Sequence, residues 1–177
     1  MNTSDTLKMT IYTALFAALI AAGAFISIPV GPVPIVLQNM FVLMAALVLG
    51  PRWGLGAILL YLFMGACGFP VFSGGTGGLG RLFGPTGGYL LGYIPAVTVT
   101  AVLAKTLGHR PINDALAMVV GSLLVYGAGV PWLKFATGMP WDKTLALGLF
   151  PFIIGDIIKI AAGTWAAGVM RRVMDKK

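Results

Sequence analysis

From Met9 to Pro51 the chain carries no charged side chain, and the middle of that run is Ile28-Pro29-Val30-Gly31-Pro32-Val33-Pro34. An uncharged apolar stretch of this kind reads as membrane-spanning helix, and one span takes about 20 residues. The run is too long for one span and too short for three. Proline lacks the N–H a helix needs and biases the residue before it toward extended backbone. The run therefore predicts two helices, 9–28 and 35–50, joined by a stiff apolar loop.

The remaining uncharged segments extend the pattern. They predict helices over 53–67, 86–105, 114–132 and 145–170, with a glycine-rich loop over 68–85. Hydrophobic residues make up 58% of the 177 residues and charged ones 10%, against about 25% charged in a soluble domain. Too few polar groups exist to cover a soluble surface, and disorder needs the opposite composition. The fold class is an all-α integral membrane protein of six transmembrane helices, forming a single membrane domain over 1–177. Six spans use about 120 residues, which leaves no room for an ATPase domain. Any energy the protein uses comes from a partner or a gradient.

The first helix resembles a signal peptide, and Ala22-Gly23-Ala24 mimics a cleavage site. Its apolar stretch exceeds the usual length and the segment before it is barely basic, so it is read as a retained span. An even span count puts both termini on one side. Lys8, Arg52, Lys105, Arg110, Arg171, Arg172, Lys176 and Lys177 then share a face, and Arg81, Lys134 and Lys143 share the other. That asymmetry places both ends in the cytoplasm, the protein being multi-pass in the cytoplasmic membrane. It also accounts for the net charge of +7 without invoking nucleic acid.

All five acids are aspartates. Asp156 and Lys159 stand three apart inside the last helix, on neighbouring positions of one face. Each charge at mid-membrane costs about 2.5–3.5 kcal/mol on insertion scales, and such residues face an interior cavity with a use. A mutually neutralising structural pair is the plainer alternative. Gln38-Asn39 open the second helix and can offer donors and acceptors to a ligand or merely begin a helix. Tyr89 and Tyr93 share a face of the fourth helix, as cavity wall or as interfacial belt.

Gly75-Thr76-Gly77-Gly78-Leu79-Gly80 matches G-x-G-x-x-G, but no strand precedes it and the next acid is Asp114. The dinucleotide reading is rejected. The loop also holds Phe69, Phe72 and, as its one charge, Arg81. Large apolar residues there predict a folded cap over a cavity. With one cysteine, Cys67, and one histidine, His109, neither an internal disulfide nor metal-ligand spacing is available. Ala14, Ala18 and Ala22 form a small-residue ridge on the first helix, suited to close approach of another helix within the chain or from a partner. Gly84, Gly88 and Gly92 repeat that spacing.

Together these segments resemble the BioY proteins, the biotin-binding S components of energy-coupling factor (ECF) transporters. The resemblance covers essentially the whole chain. It rests on Gly31-Pro32-Val33-Pro34-Ile35 with Gln38, on Gly68-Phe69-Pro70-Val71-Phe72-Ser73-Gly74-Gly75, on Gly84-Pro85-Thr86-Gly87-Gly88-Tyr89, and on Gly155-Asp156-Ile157-Ile158-Lys159. It implies the S-component fold and a vitamin-capture subunit that binds biotin near the outer surface, under the loop between helices one and two. It further implies docking through the ridge of helix one onto a transmembrane coupling subunit driven by two cytoplasmic ATPases. Biotin is cargo, and no cofactor is implied.

The chemistry of the ligand fits the residues. Asp156 suits the ureido N–H groups, and Gln38, with Asn39 beside it, can serve either ureido edge. Lys159 and Arg81 are cations for the carboxylate or the ureido oxygen. Tyr89, Phe69, Phe72 and the proline loop would supply walls. The rival readings are an S component for another vitamin, a stand-alone proton-coupled carrier using Asp156, and, more distantly, an intramembrane enzyme. A carrier often shows internal repeats, and no half-to-half match is visible. An enzyme would have to work with Asp156 and Lys159 alone.

Overall fold

Glycine and proline punctuate the chain, and the helices lie between them. A computed structural model describes residues 3–29 and 31–175. Val30 of the proline segment, and Lys176 and Lys177 of the charge count, lie outside the described residues. The first helix, α1, spans Thr3–Phe25. It stops short of the expected residue 28, because Ser27–Ile28 (β1) pairs antiparallel with Ile35–Val36 (β2), Ser27 opposite Val36. Ile28 and Val33 each precede a proline, a position that disfavours helix. The apolar loop is thus a short hairpin, and the second helix starts at Gln38 instead of 35.

Helix α2 covers Gln38–Ala66, broken at Gly50, whose φ of +75° and ψ of −177° interrupt the coil before Pro51. Only glycine takes that backbone without strain. Two helices result, 38–49 and 51–66. The glycine-rich segment that follows is folded. Phe72 bridges to Thr76, the Gly78 N–H donates to the Gly65 carbonyl at 2.7 Å, and Leu79–Phe83 forms a short helix, α3. Helices α4 (Gly87–Leu107) and α5 (Pro111–Thr137) come next. The expected span 145–170 is instead two helices, α6 (Trp141–Gly148) and α7 (Phe150–Asp175). Leu149 leaves the helical region between them, and α7 runs five residues past Met170.

Among the described residues, five segments are long and apolar enough to cross a membrane, taking α6 and α7 as one. The break at Gly50 makes them six helices. Helices α4 and α5 pack face to face, and a Cβ on Gly88 would lie 2.2 Å from the Trp132 Cβ. The Gly88–Gly92 ridge is therefore consumed inside the chain. Ala14, Ala18 and Ala22 of α1 are all exposed, while Phe16, Ala17, Ile20 and Ala24 are buried on its other face.

One end of the bundle is tied by charge. Arg171 of α7 pairs with the buried Asp114 of α5 and donates through Nη1 to the Leu47 carbonyl of α2 at 3.1 Å. His109 Nδ1 lies 3.1 Å from the other Asp114 oxygen. Asp114 thus links three segments at the end where the helix break at Gly50 also lies. The helix starts Gln38 and Gly87, together with the hairpin, meet at the other end.

Candidate ligand-binding site

Beneath the hairpin and the folded glycine segment lies a cavity of about 290 Å³. That is the lower edge of the usual range for small-molecule sites, about 300–1,000 Å³. Its lid comes from Pro29, Pro32, Val33 and Pro34 on one side and from Ser73, Gly74 and Thr76 on the other. Its floor and walls come from α2, α4, α5 and α7. Gln38, Asn39, Phe72, Arg81, Tyr89, Asp156 and Lys159, the residues singled out from sequence as ligand-binding, all line it. Phe69 does not; it is 58% exposed and takes no part in the wall the sequence assigns to it.

The buried carboxylate organises the polar wall. Lys159 Nζ stands 3.1 Å from Asp156 Oδ1, with both side chains largely covered. The Tyr126 hydroxyl donates to Asp156 Oδ2. Tyr126 was not anticipated: a single tyrosine within an apolar run is ordinarily packing, and no local pattern ties it to an acid on another helix. A carboxylate has about four lone-pair sites, so two donors leave it able to accept more. On the same cavity, Asn39 Oδ1 and Gln38 Nε2 are buried without a well-formed hydrogen bond among the described residues, the Gln38 side chain lying by the Tyr61 hydroxyl. Buried polar groups are rarely left unpaired, because desolvation without a partner costs about 1–3 kcal/mol. A free donor, a free acceptor and a carboxylate with spare capacity therefore suit a compact ligand carrying both N–H and carbonyl groups.

Arg81 stands apart from this group. It is exposed on α3, and its Nε donates to Thr76 Oγ1 at 2.9 Å, while Thr76 Oγ1 donates to the Ser73 carbonyl at 3.0 Å. The guanidinium is thus steered by the lid, and among the described residues its terminal nitrogens make no hydrogen bond, which leaves them for an anion. Tyr89 contributes its ring only, since its hydroxyl donates to the Gly148 carbonyl at 2.8 Å. Gly129 makes room for that ring; a Cβ there would meet it at 2.3 Å. Phe72 is buried edge-on to Tyr61, with centroids 5.6 Å apart, and a Cβ on Gly65 would lie 2.1 Å from its Cζ. Tyr93, Leu90 and Phe152 complete the apolar lining.

The family model described as the BioY family matches residues 1–176. A "Probable biotin transporter BioY" from Pyrococcus horikoshii is 44% identical over 148 residues, covering 84% of this chain and 86% of that protein. The "Biotin transporter BioY" of Thermotoga maritima is 40% identical, covering 91% and 94%. Among solved structures, the "S-component for biotin from an ECF-type ABC transporter" superposes with a TM-score of 0.89 at 31% identity, over 99% of this chain and 95% of that one.

Proposed function

The chain belongs to the BioY family, and from that premise we propose that it captures biotin in this cavity as the substrate-binding subunit of an uptake transporter. It is a multi-pass membrane protein and binds its cargo without chemical change. The observation that carries the reading is the Asp156 carboxylate, held by Tyr126 and Lys159 and lining the same cavity as Gln38 and Asn39, whose Nε2 and Oδ1 make no well-formed hydrogen bond among the described residues. Biotin presents two ureido N–H donors, one ureido carbonyl, an apolar bicycle and a carboxylate. Asp156 accepts ureido N–H groups, and Gln38 and Lys159 donate to the ureido oxygen. The bicycle lies among Phe72, Tyr89 and Tyr93, and the valerate carboxylate reaches Arg81 at the lid.

The single domain sits in the cytoplasmic membrane with both termini inside. Lys8, Arg52, Lys105, Arg110, Arg171 and Arg172 then mark the cytoplasmic end, and the cavity opens outward. The exposed face of α1, with Ala14, Ala18 and Ala22, docks on a transmembrane coupling subunit served by two cytoplasmic ATPases. The experiment is equilibrium binding of labelled biotin to detergent-purified protein. Saturable, tight binding with the ligand recovered intact is the expected result. Absence of binding, or stronger binding of a different vitamin, would overturn the assignment.

A further inference from the structure

A second concavity lies between α5 and α7, on the outside of the bundle and away from the biotin cavity. Its walls are Pro111 and Ala115 on α5 and, on α7, Ala161, Trp165, Gly168 and Arg172, flanked by Thr164 and Val169. The four wall residues of α7 recur at i, i+4, i+7 and i+11, one continuous stripe. The opposite face of α7 packs inward: Ala167 is fully buried, and a Cβ on Gly163 would meet Met118 at 2.8 Å. At Gly168 a Cβ would meet nothing within 4 Å. The missing side chain there leaves the groove open without serving any contact in the protein.

A cation closes one end of this groove. Arg171 is spent on Asp114 and the Leu47 carbonyl. Arg172, its neighbour, lines the groove and makes no hydrogen bond or ion pair among the described residues. From Ala161 to Arg172 the stripe runs about 16 Å at 1.5 Å per residue. One leaflet of hydrocarbon is about half of 30 Å. The groove therefore has the depth of a single leaflet, mostly apolar along its length, with a cation that is unpaired among the described residues where the headgroups begin. A free phosphate would have no use for the apolar walls.

We propose that this groove binds an anionic diacyl phospholipid of the inner leaflet, one acyl chain lying along Ala161, Trp165 and Gly168 and the phosphate meeting Arg172. The inference depends on the inward orientation given above and not on the identity of the transported ligand. The test is native mass spectrometry of the full chain released from vesicles of equal phosphatidylglycerol and phosphatidylcholine. Wild type should retain phosphatidylglycerol preferentially. Arg172→Gln should lower that retention about tenfold, the loss of one charge-assisted hydrogen bond. Gly168→Leu fills the groove and should lower it as far. Melting temperature and monodispersity establish that each variant is folded, independently of biotin; should Gly168→Leu fail there, Arg172→Gln decides alone. Equal retention of the two lipids by wild type overturns the proposal, as does unchanged retention by folded Arg172→Gln. Displacement of the lipid by inorganic phosphate as readily as by added phosphatidylglycerol would also overturn it, by reducing the site to a bare cation.

Discussion

The hydroxyl of Tyr126 on α5 donates to Oδ2 of Asp156 on α7, 30 positions along the chain. Lys159 holds the other oxygen from the same side of α7. Each carboxylate oxygen thus has one protein donor, and Asp156 lines the cavity with capacity to accept more. Tyr126→Phe removes a donor while keeping the ring. Biotin affinity should fall about tenfold, the scale of one hydrogen bond to a charged group. Asp156→Asn removes the charge itself and should cost about ten- to a hundredfold on the same scale. Titration with labelled biotin gives both numbers. A Tyr126→Phe variant that binds as well as wild type would show that the hydroxyl only fills space.

Lys159 is separable from Asp156 by a double-mutant cycle. Lys159→Met leaves a buried carboxylate with Tyr126 as its remaining donor, and breaking a buried pair on one side is the costly case. Biotin binding should weaken about as much as in Asp156→Asn. The double variant Asp156→Asn with Lys159→Met should then be little worse than either alone, since groups in direct contact are non-additive. Losses that simply add would mean that the two residues act on separate parts of the ligand.

Arg81 tests the other end of the ligand. Arg81→Ala should weaken biotin more than an analogue lacking the carboxylate, because the lost cation matters only where an anion meets it. Thr76→Val, which removes the acceptor for Arg81 Nε, should show the same preference in milder form. Equal losses for both ligands in Arg81→Ala would make the arginine a loop tether.

Gly65 ties the shape of the cavity to a missing side chain. Gly65→Ala places a Cβ against the Phe72 ring, which is already buried against Tyr61. Overpacking of this kind costs about 1–3 kcal/mol. Phe72 can move only into the cavity or out of the lid, so both melting temperature and biotin affinity should drop. Gly127→Ala, where a Cβ meets nothing within 4 Å, should leave both unchanged.

The polar wall was legible from spacing where its residues are neighbours in the chain. Asp156 and Lys159 announce themselves as two charges in one apolar helix, and Gln38-Asn39 as adjacent amides at a helix start. Tyr126 carries no such mark, because its partner is on another helix and tyrosine is ordinary in an apolar run. The Asp114–Arg171 pair escaped for the same reason: counted by side of the membrane, Arg171 looked like one more cytoplasmic cation. The break at the proline cluster 29–34 was visible, and its edges were misplaced because strand pairing sets them. The residues of β1 fit a helical run until the hairpin claims Ser27 and Ile28. The start at Trp141 follows Pro140 and the interruption at Leu149 precedes Pro151, two single prolines in a run read only for charge.

The exposed face of α1 separates capture from transport. Phe16, Ala17, Ile20 and Ala24 turn inward, and Ala14, Ala18 and Ala22 turn outward at a four-residue interval. Small residues at that interval let two helix backbones approach closely. None of the three lines the biotin cavity. Ala18→Leu puts a branched side chain at the centre of the ridge, and a well-packed partner helix would have to yield at a cost of about 1–3 kcal/mol. Since Ala18 is exposed in the isolated chain, that cost falls on the complex. The variant should bind biotin as wild type does in detergent, co-purify poorly with a coupling subunit, and support little uptake in cells. Titration and pull-down from the same membranes check the two halves together. Normal pull-down with normal uptake would assign the ridge to lipid. Loss of biotin binding would mean that α1 supports the cavity through its outer face, which the direction of its buried residues argues against.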